Sequence, residues 1–163
     1  MRILRSALAS SAVLLFACGG ADRAATTTAD TGAAVTPSPV PAPTGTPAPI
    51  TGTTHQVQMV IQGTSYLFVP ANITIRSGDG IRFVNVSGGP HNVAFDPAAI
   101  PANVKPQLAA NMPDQALGEL SGRLLTQPNE AYTISFANIP AGTYPIFCTP
   151  HLAMGMKGQV TVQ

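Results

Sequence analysis

The sequence predicts an all-β domain over residues 55–163, folded as a Greek-key β-sandwich or barrel of seven to eight strands. Polar and apolar residues alternate within 56–61, as in a strand with one buried face. Ser77-Gly78-Asp79-Gly80 is a strong turn signal between two apolar segments. Many short strands separated by turns are typical of sandwiches and barrels. The other strands are predicted at 66–69, 73–75, 81–86, 91–95, 132–136, 142–148 and 158–162.

Residues 96–130 interrupt this strand pattern. They contain several alanines and leucines with scattered prolines, rather than alternating or β-branched segments. We expect a long crossover between strands here, with a short helix at either 106–111 or 114–120.

Residues 1–17, MRILRSALASSAVLLFA, have the layout of an export signal. Two arginines are followed by an apolar run that is too short to span a bilayer. The run Leu15-Phe16-Ala17-Cys18 resembles the lipobox of bacterial lipoproteins, in which the cysteine is lipidated and becomes the N-terminus. We therefore expect a lipoprotein signal peptide. The alternative is an ordinary secretory signal followed by an incidental cysteine.

Residues 18–54 are predicted to be a linker that joins the lipid on Cys18 to the folded domain. They are rich in alanine, threonine and proline, and they contain almost none of the large apolar residues that could build a core. The export signal and the lipobox-like run together predict that the domain lies in the bacterial periplasm or cell envelope. Gly19, rather than aspartate, after the cysteine fits sorting to the outer membrane.

The charges of the predicted domain balance, which argues against binding to nucleic acid. No basic stripe is present that could follow a phosphate backbone. The five basic residues are Arg76, Arg82, Lys105, Arg123 and Lys157, and the five acidic residues are Asp79, Asp96, Asp114, Glu119 and Glu130.

The chain has two cysteines, and a lipid on Cys18 would leave Cys148 without a partner for a disulfide. An unpaired thiol is a liability in an exported domain, so Cys148 is expected to be either buried and inert or bound to something. It begins the segment Cys148-Thr149-Pro150-His151-Leu152-Ala153-Met154-Gly155-Met156, which places a thiolate, an imidazole and thioethers within nine residues. Strand alternation puts Cys148 on the same face as Tyr144 and Ile146, which is the face expected to be buried.

Soft sulfur together with imidazole is a ligand set that selects copper in both oxidation states. A second histidine, His91, follows Gly88-Gly89-Pro90 at the start of a predicted strand. Each residue alone has an ordinary explanation, because a buried cysteine is usually a small apolar residue and a histidine after a proline is usually a loop residue. The third histidine, His55, lies outside the pattern and is expected to be a solvated residue at a strand end.

Two segments together resemble the cupredoxins, specifically the plastocyanin and pseudoazurin group. The first runs from Ile73 to Phe95 and ends in Pro90-His91-Asn92-Val93-Ala94-Phe95, and the second has the spacing Cys-x2-His-x4-Met from Cys148 to Met156. The resemblance implies one copper ion per chain, with His91, Cys148 and His151 as equatorial ligands and Met156 as the axial ligand. Met154 is the competing axial candidate, since a shorter spacing also occurs among cupredoxins. Asn92 matches an asparagine that ties the two ligand-bearing loops together.

The resemblance also implies a one-electron shuttle, which cycles between Cu(I) and Cu(II), rather than an enzyme. Electrons would leave through His151, within an apolar patch formed by Pro90, Pro150 and Leu152. A monomer would then meet cytochromes or copper and haem oxidoreductases briefly at this patch. Two alternatives are a copper enzyme, which would need more histidines for a second copper, and a copper carrier or storage protein, which would need exchangeable ligands.

Overall fold

The computed structural model describes residues 46–163. The predicted signal peptide, Cys18 and most of the predicted linker lie outside these described residues. The described part contains eight strands and one α-helix, which confirms the predicted all-β class and strand number. The elements are β1 (Thr54–Gln62), β2 (Ser65–Val69), β3 (Asn72–Ile75), β4 (Gly80–Asn85), β5 (Ala94–Phe95), α1 (Lys105–Ala110), β6 (Ala131–Ser135), β7 (Gly142–Phe147) and β8 (Lys157–Val162).

The strands form two four-stranded sheets that enclose one core. The first sheet has the order β2-β1-β4-β6, and the second has the order β3-β8-β7-β5. The pairs β1–β4 and β3–β8 are parallel, and the remaining pairs are antiparallel. Phe68 and Phe83 meet edge to face in the core, with their ring centroids 6.1 Å apart. Burying each such side chain stabilises the fold by about 1.5–3 kcal/mol.

The crossover between β5 and β6 contains the helix at the first of the two predicted positions. Helix α1 ends at Ala110, and the alternative helix at 114–120 is wrong. Asp114 and Leu120 have φ angles of 49° and 54°, which no right-handed helix accommodates. The irregular segment still contributes to the core, because Leu120 and Leu125 are fully buried.

The sequence predicts that the domain begins at residue 55, but residues 46–53 already pack against it. We call these residues the strap. The amide of Ala48 donates to Oδ1 of Asn111 over 2.9 Å, and Nδ2 of Asn111 donates to the carbonyl of Ala137 over 2.9 Å. The amide of Gly52 donates to the carbonyl of Gly78. The strap therefore reaches the domain at the end where β4 begins. None of the helical segments in residues 46–163 has the length and apolar character of a membrane span.

Candidate metal centre

Three of the predicted ligands converge at the opposite end of the sandwich, beyond the ends of β4 and β7. The Sγ atom of Cys148 lies 3.6 Å from Nδ1 of His91 and 3.4 Å from Nδ1 of His151. The three donor atoms all lie within 4.8 Å of one another. Cys148 and His91 are fully buried, and His151 keeps 6% of its surface exposed. This arrangement can hold one metal ion between one sulfur and two imidazole nitrogens.

His91 is positioned by the irregular crossover rather than by a regular strand. The sequence predicted a strand from residue 91, but β5 is confined to Ala94–Phe95. His91 instead exchanges two backbone hydrogen bonds with Leu125, and this is one of two isolated bridges that join residues 91–94 to residues 121–125. Its Nε2–H donates to the carbonyl of Ser87 over 2.9 Å, which leaves Nδ1 as the unprotonated nitrogen of the neutral ring.

Cys148 lies one residue beyond β7 and is still tied to the sheet. Its amide donates to the carbonyl of Met156 over 3.1 Å. Tyr144, Ile146 and Cys148 are all buried, so the face predicted by strand alternation is confirmed. Burial raises the pKa of the Cys148 thiol, against a smaller opposing effect of contacts with Asn92 and His151. A metal that binds here must therefore displace the thiol proton.

The loop after Cys148 turns the His151 ring back towards the sulfur and returns the main chain to Cys148 at Met156. A short 3₁₀ helix covers Leu152–Met154, and Gly155 adopts a φ of 82°, which favours glycine. The amide of Met156 then donates to the carbonyl of His151 over 3.2 Å. The two methionines differ sharply in environment, because Met156 is fully buried and Met154 is 54% exposed.

Asn92 joins the segment of His91 to the loop that follows Cys148. Its Oδ1 accepts the amide hydrogen of Thr149 over 2.7 Å. Its Nδ2 lies 3.1 Å from the hydroxyl oxygens of Thr149 and Ser121 and from the carbonyl oxygen of Gly122. Asn92 is fully buried, so these contacts connect three chain segments in one place.

Tyr66 of β2 also lies at the site, although it is not among the residues predicted from the sequence. Its ring stacks on the imidazole of His151, with a centroid distance of 3.8 Å and an interplanar angle of 12°. It meets the ring of His91 edge to face at 6.1 Å. Tyr66 precedes His151 by 85 residues, and no local pattern in the sequence relates the two.

The third histidine lies elsewhere, in the second residue of β1. The sequence predicts a solvated residue at a strand end, but the His55 side chain is only 32% exposed and its Nε2 lies 3.0 Å from Oδ2 of Asp79. The pKa of Asp79 is lowered to about 2 because its carboxylate accepts hydrogen bonds from the amide of Arg76, from His55 and from the amide of Thr53. His55 is thus engaged in the fold and does not contribute to the metal centre.

The chemistry of the donor set fits copper. Burial lowers the pKa of His91, against the opposing effect of its bond to Ser87, and burial together with His91 lowers the pKa of His151. Both rings therefore favour the neutral form that can bind a metal. One soft sulfur and two imidazoles are the ligands that suit copper in either oxidation state. Around them, Pro90, Pro150 and Leu152 are exposed.

Comparison with known proteins agrees with this geometry. The family model for copper binding proteins, plastocyanin/azurin family, matches residues 55–163. Over 95 residues the chain is 42% identical to a chloroplastic plastocyanin of Physcomitrium patens, which covers 58% of this chain and 49% of that protein. It is 41% identical over 95 residues to the plastocyanin of Solanum crispum, which covers 58% of this chain and 86% of that protein.

A solved structure gives the same result for the fold. Oxidised plastocyanin from Dryopteris crassirhizoma superposes with a TM-score of 0.54 at 30% identity, covering 66% of this chain and 99% of that chain. The matched segment spans about half the length of the Physcomitrium protein and most of the Solanum and Dryopteris proteins. The likeness therefore concerns the domain that carries the metal centre.

Proposed function

The chain belongs to the plastocyanin/azurin family of copper-binding proteins, and we propose that it carries single electrons through one copper ion per chain. The observation that carries this proposal is the buried convergence of the Cys148 sulfur with the Nδ1 atoms of His91 and His151. Copper bound there would supply a one-electron change between Cu(I) and Cu(II). The protein would serve as an electron carrier and not as an enzyme.

The axial ligand is proposed to be Met156 rather than Met154. Met156 is fully buried, and its backbone contacts both Cys148 and His151. Met154 is 54% exposed on the 3₁₀ helix, where a thioether is open to solvent. The burial of Met156 supports a weak ligand held in place by packing.

The protein's own contribution is to keep the ligands in one arrangement while the electron moves. Asn92 fixes the Cys148 loop against the His91 segment, the amide of Cys148 is bonded to the carbonyl of Met156, and the His91 ring is bonded to Ser87. Ligands held in this way need little movement between the two oxidation states. The bond to Ser87 also orients Nδ1 of His91 towards the sulfur.

Electron exchange is proposed to occur at the apolar patch of Pro90, Pro150 and Leu152. These residues are exposed, and the His151 ring beside them keeps a small exposed fraction. A small patch of this kind suits brief docking to redox proteins such as cytochromes or copper and haem oxidoreductases. The protein is proposed to act there as a monomer.

Export with a lipid anchor is the final part of the proposal. The layout of residues 1–17 and the lipobox-like run ending at Cys18 support a bacterial lipoprotein, and Gly19 fits an outer-membrane location. The proline-rich composition of residues 18–54 supports a tether between that lipid and the domain. The carrier would then work in the periplasm or cell envelope while attached to a membrane.

The experiment is an optical titration of the chain from Gly19 onward, loaded with Cu(II). We expect an intense blue thiolate-to-copper band that bleaches with ascorbate, returns with ferricyanide and disappears in Cys148→Ser. His91→Ala should also lose the band, whereas the matched variant His55→Gln should keep it. A pale complex, or loss of copper on each redox cycle, would refute the electron-carrier proposal and favour a copper carrier or storage protein.

A further inference from the structure

The two histidines of the metal centre are held in different ways. The ring of His91 is fixed by the hydrogen bond from its Nε2 to Ser87, and its backbone is bridged to Leu125. The ring of His151 has no protein acceptor within hydrogen-bond distance of Nε2 among residues 46–163. His151 precedes the 3₁₀ helix Leu152–Met154, and its backbone hydrogen bonds with Cys148, Met154 and Met156 fix the main chain but not the rotation of the ring. A metal-binding histidine normally has a hydrogen-bond partner at its second nitrogen.

Tyr66 lies against the face of the His151 ring and can restrain it without a hydrogen bond. The two rings are nearly parallel, 12° apart, and their centroids are separated by 3.8 Å. Tyr66 is itself fixed, because it lies in β2 opposite Ile61 of β1 and packs against the hydrophobic core. Its ring also lies near Gly88, where an added Cβ would stand 3.3 Å from Cε1 of Tyr66.

We propose that Tyr66 is a positioning residue for His151, which it holds in the ligand orientation by ring stacking. The stack restricts rotation of the imidazole about its Cβ–Cγ bond, because rotation would drive the ring into the face of the tyrosine. It also restricts sliding of one ring over the other. Tyr66 thereby slows the release of His151 from the metal. This inference rests on the proposed copper centre, since it names His151 as a ligand.

The stack also determines which part of His151 a partner can reach. Tyr66 covers one face of the imidazole, and 6% of the His151 surface remains exposed. The patch residues Pro90 and Leu152 are exposed. Contact with a redox partner is thus directed to the edge of the imidazole rather than to its face.

The test compares Tyr66→Leu, which removes the ring, with Tyr66→Phe, which keeps it and loses only the hydroxyl. Val69→Ala is the matched control, because Val69 belongs to the same strand and is 37% exposed. The first measurement is the release of Cu(I) from each full-length variant to a strong chelator. We expect release to be about three- to tenfold faster in Tyr66→Leu, which is the fold-change that corresponds to losing the stabilisation of one aromatic pair. Release should be unchanged in the other two variants.

The second measurement is the NMR spectrum of the apoprotein, in which the carbon-bound ring protons of His151 are shielded by a stacked tyrosine. They should move downfield in Tyr66→Leu and stay in place in Tyr66→Phe. Equal release rates in Tyr66→Leu and Val69→Ala, or unchanged His151 shifts, would overturn the inference. Equal losses in Tyr66→Phe and Tyr66→Leu would also overturn it, by assigning the effect to the hydroxyl. If the parent protein binds no copper, the proposed function fails, while the apoprotein shifts still test the stack.

Discussion

Replacing Asn92 by alanine tests whether one buried side chain holds the two ligand-bearing segments together. The change removes the acceptor of the Thr149 amide, 2.7 Å away, and the donor to the Gly122 carbonyl, 3.1 Å away. Each hydrogen bond contributes about 1 kcal/mol net, and a buried group that loses its partner costs about 1–3 kcal/mol. We therefore expect the free energy of unfolding to fall by about 2–4 kcal/mol.

The matched control is Asn111→Ala, at the other end of the sandwich. Asn111 is also buried, and it bridges the Ala48 amide and the Ala137 carbonyl with two hydrogen bonds of 2.9 Å. Because the two asparagines have similar burial and similar bonding, their loss should lower stability by similar amounts. Only one of them is in contact with the loop that carries Cys148 and His151.

Urea unfolding of the apoprotein measures the stability of both variants, and the optical spectrum and Cu(I) release rate of the loaded protein measure the metal centre. Asn92→Ala should shift the thiolate-to-copper band and speed the release of copper, whereas Asn111→Ala should leave both unchanged. If the two variants lose equal stability and keep identical spectra and release rates, Asn92 does not organise the site, and the reasoning from its contacts is wrong.

Met156→Ala should lower the free energy of unfolding by about 2–5 kcal/mol, as expected for a fully buried methionine, and should shift the reduction potential. Met154→Ala, a change at a side chain 54% exposed, should alter stability by less than about 0.5 kcal/mol and leave the potential unchanged. Asp79→Asn should weaken the fall in the free energy of unfolding as the pH is lowered from 3.8 to 2. The pKa of Asp79 in the folded state is about 2, below the ordinary 3.8, so the carboxylate stabilises the fold above pH 3.8 and this contribution is lost as the pH falls through 2. A profile unchanged by Asp79→Asn would contradict the assigned hydrogen bonds. Leu152→Asp should slow electron self-exchange between two copies of the protein, measured by NMR line broadening, without changing the optical band, whereas Leu117→Asp, at a residue 43% exposed outside the patch, should change neither.

The fold and the ligand cluster could be predicted because their signals are local in the sequence. Strand alternation was enough to place Cys148 on the buried face with Tyr144 and Ile146. The ligand spacing from Cys148 to His151 lies within one loop, and His91 follows a glycine- and proline-rich turn. For these residues, neighbours along the chain supply most of the information about their environment.

The parts that were wrong or missed depend on contacts between distant residues. The predicted strand from residue 91 is shortened because His91 pairs with the irregular segment at Leu125. His55 is bonded to Asp79, 24 residues away. Tyr66 of the first sheet stacks on His151, which lies between β7 and β8 of the second sheet. No periodicity or spacing encodes such pairs, since they are fixed by sheet order and strand register.

The position of the strap has a mechanical consequence. It joins the domain where β4 begins, while the ligands lie beyond the end of β4, six residues or roughly 20 Å further along the strand. A pulling force transmitted through residue 46 therefore reaches the bonds of Asn111 and Gly78 before it reaches any ligand. The proposed anchor on Cys18 would therefore restrain or reorient the domain from this end and leave the spacing of the His91, Cys148 and His151 donor atoms undisturbed, with the proposed exchange patch at the opposite end.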